Sequence, residues 1–298
     1  MTLDCVIVGA GPAGLTAAVY LARFGLSACV IADGNSRADR IPLCRNFPGY
    51  PDGISGGDLL RRIDTQREKY GVPRVTGHVD AVTMEATGFS VRHGENIMHA
   101  RAVILATGKT DAPPPRMAQA EHDAALREGR LHYCPICDAH EVRDRDVVLL
   151  GSGDHGMREA EFLCSYTNDV TLLCPDGPQA RRSGIKAVDG PLIALSYRSG
   201  VLELTTAAAV LRPSHLYIAL GCHQRSELAA SLGASLSEDG CIVVDAHQRT
   251  SISGLYAIGD VVVGLDQIAT AIGHAATAAT AIRNDLCSSS TRSAASQP

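Results

Sequence analysis

The chain has 298 residues, 45% hydrophobic and 20% charged, the balance of a soluble globular enzyme of one large or two medium domains. That excludes a fibrous or largely disordered chain. With 27 Lys and Arg against 32 Asp and Glu, the net charge of -5 leaves no basic surplus for a nucleic-acid partner.

An apolar strand, Cys5-Val6-Ile7-Val8, starts close to Met1, with no basic and apolar regions of a secretory signal before it. No run reaches the ~18 apolar residues that a membrane span needs. A cytoplasmic protein without membrane contact is expected. The strand leads into Gly9-Ala10-Gly11-Pro12-Ala13-Gly14, then a helix to Phe24 closed by Gly25, then a strand at Cys29-Val30-Ile31. Gly9 permits the tight turn, Gly11 lets backbone approach a pyrophosphate, and Gly14 lets helix and strand pack closely. Pro12 suits the first helical position, where its missing N–H costs nothing. Ala13 completes the turn, and the helix start presents free N–H groups to phosphate. Asp33 ends the second strand, where an acid can bind a ribose hydroxyl.

A proline run, Ala112-Pro113-Pro114-Pro115, then interrupts regular structure and reads as a linker. The pattern repeats at Val147-Val148-Leu149-Leu150, with Gly151, Gly153 and Gly156 in the turn. A helix follows to about Tyr166, and then the strand Val170-Thr171-Leu172-Leu173. Two such units point to an α/β protein with two nucleotide-binding domains. The second site suits a pyridine nucleotide. The alternative is a domain that keeps the fold without the cofactor. After its second strand stands Cys174-Pro175-Asp176, with Arg181 and Arg182 the nearest candidates for a 2′-phosphate. Beyond Asp239-Gly240 come a strand at Ile242-Val243-Val244, another at Gly254-Leu255-Tyr256-Ala257-Ile258, and a helix from about Gln267 to Leu286. Residues 288–298 are Ser- and Ala-rich and are expected to be disordered.

Between the two units lies Cys134-Pro135-Ile136-Cys137-Asp138. Cysteines three apart can close a small disulfide ring, and the spacing lowers thiolate pKa below the free value of about 8.5. Asp138 is an acid placed to shuttle a proton to a leaving thiolate. His132 and His140 flank the pair, which gives a competing reading as a zinc site. A single CxxC supplies only two ligands, however, and the histidines lack the usual finger spacing. An inert packed pair is the third reading. A redox pair between two nucleotide domains has an electron source, which favours the first, with no metal. Among ten cysteines, Cys5, Cys29, Cys164, Cys174 and Cys241 lie in or beside apolar runs and read as small core residues.

With these residues in view, the chain resembles the low-molecular-weight thioredoxin reductase family of flavoproteins over nearly its whole length. The markers are the opening glycine turn, Asn46-Phe47-Pro48-Gly49, Ala106-Thr107-Gly108 after a strand, the Cys134–Asp138 block, and Gly259-Asp260 followed by Gln267 and Ile268. The resemblance implies two Rossmann-like, three-layer domains, the second inserted in the first. The FAD domain would be 1–113 plus 243–287, and the pyridine nucleotide and CxxC domain 114–242. It implies that Asn46, Thr107, Gly108, Gly259, Asp260, Gln267 and Ile268 join the glycine turn and Asp33 around FAD. It implies that Cys137 faces the flavin, Cys134 attacks the substrate disulfide, and Asp138 is the general acid.

Expected cofactors are FAD and NADPH or NADH. The expected partner is a thioredoxin-like protein or a small disulfide or dithiol, with the chain a homodimer. Three departures stand out. The His-Arg-Arg segment for the NADPH phosphate is absent, Arg40-Ile41-Pro42-Leu43-Cys44 replaces a Gly-Gly-Gln loop, and Asp266 replaces an arginine. Cys44 reads as a spacer thiol or a third redox thiol. A related branch of dithiol oxidases, which usually carries His after the second Cys, is the runner-up. A flavin-binding redox sensor without turnover is the third reading.

Overall fold

The computed structural model describes residues 2–175, 184–188 and 190–295. The chain forms two compact units. The first holds Met1–Asp39, Gly56–Thr110 and His223–Pro298, and the second holds Arg40–Ser55 and Asp111–Cys222. The second is therefore inserted in the first. The chain returns to the first unit at His223 rather than at 243, and the segment Arg40–Ser55 groups with the second.

The first unit is built on a parallel sheet in which Thr2–Val8 lies between Ala28–Ala32 and Asn96–Leu105. Arg74–Thr76 extends it beyond Ala28–Ala32. The long strand Asn96–Leu105 divides its far edge. Its first half takes the antiparallel strands Gly88–His93 and Ala81–Glu85, and its second half takes Leu255–Ala257 in parallel. Successive side chains of a strand point to opposite faces, and here both faces are buried. Cys5, Ile7, Val30 and Ile104 enter one core cluster, while Val6, Val8, Ile31 and Val103 enter another. That near-continuous apolar run is the mark of a parallel sheet covered on both sides.

The helix Pro12–Arg23 carries Pro at its start, with Phe24 as C-cap. Gly25 follows at φ +76°, the left-handed conformation that lets Leu26 N–H reach the Leu21 carbonyl at 3.0 Å. The helix packs against the closing helix Ile268–Ala295 through small residues. Ala13, Ala17 and Ala18 share a cluster with Ala271, Ala275, Ala278 and Ala279. No glycine or proline interrupts 287–295, so this helix runs past Leu286 to Ala295, into the tail expected to be disordered. The expected strand at Ile242-Val243-Val244 is not formed. Ile242 makes only isolated bridges to Leu236 and Val262.

The second unit repeats the plan. Its parallel sheet runs Lys186–Val188, Val170–Leu173, Val147–Gly151, His215–Ala219, Leu131–His132. Alternate residues again fill two clusters, Val148 and Leu150 on one face, Val147 and Leu149 on the other. The helix Gly153–Leu163 follows the glycine turn, and the antiparallel strands Leu192–Arg198, Val201–Thr206 and Val210–Leu211 form a separate small sheet. Asp176, Arg181 and Arg182 lie outside the described residues.

Two expectations follow for stability. Ala275 is fully buried in the helix seam, so Ala275→Leu overpacks it and should cost about 1–3 kcal/mol, read as a lowered Tm. Asp285 accepts from Arg249 Nε and Nη2 at 2.8 Å each and from the Tyr256 hydroxyl at 2.5 Å. The Arg249 guanidinium holds the Asp285 carboxyl below its ordinary value. A depressed acid stabilises the fold above its unfolded pKa near ~4 and loses that contribution as pH falls through the folded value. Asp285→Asn should therefore lower Tm at neutral pH and flatten its decline below about pH 4.

Candidate active site

In the first unit the expected cofactor residues meet at the carboxyl edge of the parallel strands. Val8 pairs with Ile31 and Leu105, and Leu105 pairs with Ala257. Gly9, Asp33, the Ala106-Thr107-Gly108 run and Gly259-Asp260 thus all leave strands at one edge, where open α/β sheets bind ligands. The glycines are required there. A Cβ on Gly9 would stand 2.3 Å from the Ala106 carbonyl oxygen, and one on Gly14 would stand 2.0 Å from the Gly9 oxygen. Gly259, at φ +76°, would place a Cβ 3.1 Å from that of Ala13. Gly11 differs, since a Cβ there would meet only Ser36 Oγ at 3.5 Å.

Gly11 is the N-cap of the first helix and offers no side-chain cap. The first-turn N–H groups therefore take no acceptor from the N-cap side chain, which leaves them to a pyrophosphate. Asp33 is exposed at the end of its strand. Thr107 Oγ1 donates to the Arg225 carbonyl at 2.6 Å, and Arg37 lies 3.6 Å from Asp260. Gln267 and Ile268 open the closing helix, where the Gln267 carbonyl accepts from Ala271 N at 2.9 Å. The bare glycine turn and the exposed Asp33 fit the pyrophosphate and adenosine ribose of FAD. Asp266 is ion-paired with Lys109 at 2.5 Å. The acid that departs from the family pattern is thus neutralised by a lysine that sequence reasoning passed over.

The second unit has the same close turn. A Cβ on Gly151 would stand 3.0 Å from that of Ala219, and one on Gly156 would stand 2.9 Å from the Gly151 carbonyl carbon. Gly153 sits at φ +62°, and Ser152 gives the helix no side-chain cap. This too fits a dinucleotide phosphate.

Cys134 and Cys137 are joined as a disulfide, with Cys134 as N-cap of the short helix Pro135–Asp138. Bonded to each other, these sulfurs are not thiolate ligands. His132 is engaged with Asp138 and His215, and His140 is exposed. Asp138 Oδ2 lies 2.5 Å from His132 Nδ1, and Oδ1 accepts the Tyr217 hydroxyl at 2.7 Å. Sequence reasoning missed His215 and Tyr217. The one available signal was a histidine and a tyrosine in the otherwise apolar run His215-Leu216-Tyr217-Ile218-Ala219.

Asn46 lies in Arg40–Ser55, where its Oδ1 accepts from Cys44 Sγ at 3.2 Å. Burial raises the Cys44 thiol above its ordinary value. A neutral, buried donor supports the spacer reading over a third redox thiol.

Two parallel sheets with close glycine turns and a disulfide-bonded CxxC in one chain are the features of a flavin- and nicotinamide-linked disulfide oxidoreductase. The family model described as pyridine nucleotide-disulphide oxidoreductase matches residues 3–176 and 180–275. A thioredoxin reductase of Streptomyces clavuligerus is 30% identical over 282 residues, covering 87% of this chain and 86% of that one. One of Listeria innocua is 28% identical over 291 residues, covering 91% and 89%. Among solved structures, thioredoxin reductase from Streptococcus pyogenes has a TM-score of 0.87 at 27% identity over 96% of this chain and 99% of that one. HlmI has a TM-score of 0.88 at 26% identity, covering 99% and 95%. The chain belongs to the pyridine nucleotide-disulphide oxidoreductase family, among the thioredoxin reductase-like members. It is an FAD-dependent disulfide oxidoreductase that uses NAD(P)H. The relatives named as reductases favour that reading over the oxidase and the sensor.

The two glycines should respond differently to substitution. Gly11→Leu should fold yet purify without the yellow of bound flavin, because its side chain fills the space over the helix start. Gly14→Leu should fail to fold, because even its Cβ strikes the Gly9 carbonyl. Absorbance and circular dichroism of the two proteins check this.

Proposed function

We propose that this chain reduces a thioredoxin-like protein or a small disulfide, with Cys134 and Cys137 as its working pair. The closed disulfide beside Asp138, in a chain with two glycine-turn nucleotide sites, is the observation that supports this reading most. Bound FAD supplies the two-electron step between nicotinamide and disulfide. Cys134 is the interchange thiol that attacks the substrate disulfide. Cys137 is the thiol that closes back on Cys134 and receives the electrons, and Asp138 returns a proton to the departing thiolate. The glycine turns hold the two dinucleotides and exclude side chains from their phosphates. The protein works as a cytoplasmic homodimer. Among the described residues no helix is long and apolar enough to cross a membrane.

Cys134→Ser should keep its FAD and its fold while losing NAD(P)H-dependent disulfide reduction to background. A variant as fast as the parent would overturn the assignment. Reduction of the oxidised protein in an anaerobic titration with each nucleotide, followed in the flavin band, tests the donor.

We further propose that preference for NADPH over NADH is weak. Gripping a 2′-phosphate takes a guanidinium close to the ribose. The chain offers Cys174-Pro175-Asp176 after the strand Val170–Leu173, and an acid there suits a bare 2′-hydroxyl. One lost charged contact is worth about 1.5–3 kcal/mol, so preference should fall roughly 10- to 150-fold below that of an enzyme that has it. The ratio of kcat/KM for the two nucleotides decides this. A strong NADPH preference that survives loss of both Arg181 and Arg182 would refute it.

A further inference from the structure

Asp138 is held by more machinery than a lone acid requires. His132 Nδ1 faces its Oδ2 at 2.5 Å, and His132 Nε2 in turn faces His215 Nδ1 at 3.0 Å. The His132 ring is stacked on Tyr217, with centroids 4.6 Å apart and planes 18° apart, while the Tyr217 hydroxyl donates to Asp138 Oδ1. The stack fixes the rotation of the imidazole. Register explains the meeting. His132 and Tyr217 are direct partners across two parallel strands, and His215 lies two residues before Tyr217 on the same strand. The His132 side chain is only 9% exposed and that of Asp138 is 30% exposed, so the carboxyl reaches solvent where the imidazole between it and His215 does not.

Burial, then the neighbouring His132 and Arg130, push His215 down to about 4, so its ring is neutral at pH 7. A neutral His215 ring can accept at Nδ1, and His132 Nε2 then donates to it. His132 Nδ1 and Asp138 Oδ2 cannot meet at 2.5 Å as two bare lone pairs, so a proton lies between them. The remaining charged groups bearing on the cluster are Glu141 and Glu159, which act on Tyr217.

We propose that the acid of this site is the His132–Asp138 couple, which stores one transferable proton, and that His215 and Tyr217 are positioning residues that hold it there. The proposal rests on the disulfide reductase reading above. In the reaction the Cys134 thiolate, its proton already lost to water, attacks a substrate disulfide. A bond forms from Cys134 to one substrate sulfur, and the other leaves as a thiolate that takes the couple's proton. Cys137 then gives its thiol proton back to the couple and attacks Cys134. This restores the Cys134–Cys137 disulfide and expels the second thiolate, which takes a proton from water. Two electrons and two protons leave the cysteines, and the same number arrive on the two product thiols.

The test exploits leaving-group basicity. An alkyl thiolate needs a proton to depart, whereas a nitroaryl thiolate departs without one. The full-length holoprotein, reduced anaerobically with dithionite, is mixed with hydroxyethyl disulfide or with dithiobis(nitrobenzoate). Read as release of the first thiol, before Cys137 attacks, His132→Gln should slow the alkyl disulfide by about 100-fold and leave the aryl disulfide within about twofold of the parent. His215→Leu should slow the alkyl disulfide and move the alkaline limb of its pH profile to lower pH, because His132 is then free to exchange tautomers. His215→Asn, whose Oδ1 can replace the Nδ1 acceptor, should restore both. Equal losses on the two disulfides would reduce the cluster to a structural role and overturn the proposal. So would an unchanged alkyl rate in His132→Gln. A parent protein that reduces neither disulfide would instead overturn the reading of function, and the couple with it.

Discussion

At the turn out of the first strand there is no room for a side chain. The Gly9 backbone lies against the Ala106 carbonyl, and the Gly14 position lies against the Gly9 carbonyl, at distances no Cβ could keep. That contact draws the first helix down onto the sheet edge. It also sets the Ala106-Thr107-Gly108 run beside the helix start, and Gly259 rests on Ala13 from the other side. The carboxyl edge of the first sheet becomes a row of backbone amides with little side-chain bulk. The second sheet reaches the same result with Gly151 against Ala219 and Gly156 against Gly151. What each unit can bind follows from these approaches, and the apolar sheets behind them serve to hold the strand ends in register.

Charge around these edges is arranged locally rather than by a net surplus. Asp266 is answered by Lys109 and Asp260 by Arg37. In the second unit, Asp138 is answered by an imidazole and a phenol instead of a fixed cation. A fixed cation would hold the carboxylate permanently charged. An imidazole can share a proton with it, and this separates a chemical centre from a structural ion pair.

Much of the fold was legible because its signals are local. Strand, glycine turn, Pro12 and closing Gly25 all fall within about 25 residues and report backbone conformation directly. The CxxC pair was legible for the same reason. The partners of Asp138 were not, since Tyr217 lies 79 residues away and His215 lies 83 from His132. Only strand register brings them together, and one sequence does not display register. Ile242-Val243-Val244 misled because apolar character alone does not make a strand. Ile242 finds single bridging partners and no neighbour offers a run of them. The end of the last helix misled because a Ser- and Ala-rich composition is as compatible with helix as with a loose tail when no breaker intervenes.

The insertion also orders the birth of the protein. All five strands of the second parallel sheet lie within Asp111–Cys222. On a ribosome, that sheet is complete while the first unit still lacks Leu255–Ala257 and the whole of Ile268–Ala295. Until those residues emerge, Ala13, Ala17, Ala18 and Leu21 have no alanine seam to lie against. The unit begun first is therefore finished last. Domains fold as units as they are synthesised, so the nascent chain carries a finished second unit and an unfinished first unit with an uncovered apolar face. Loss of the C-terminal helix would return the protein to that half-assembled state.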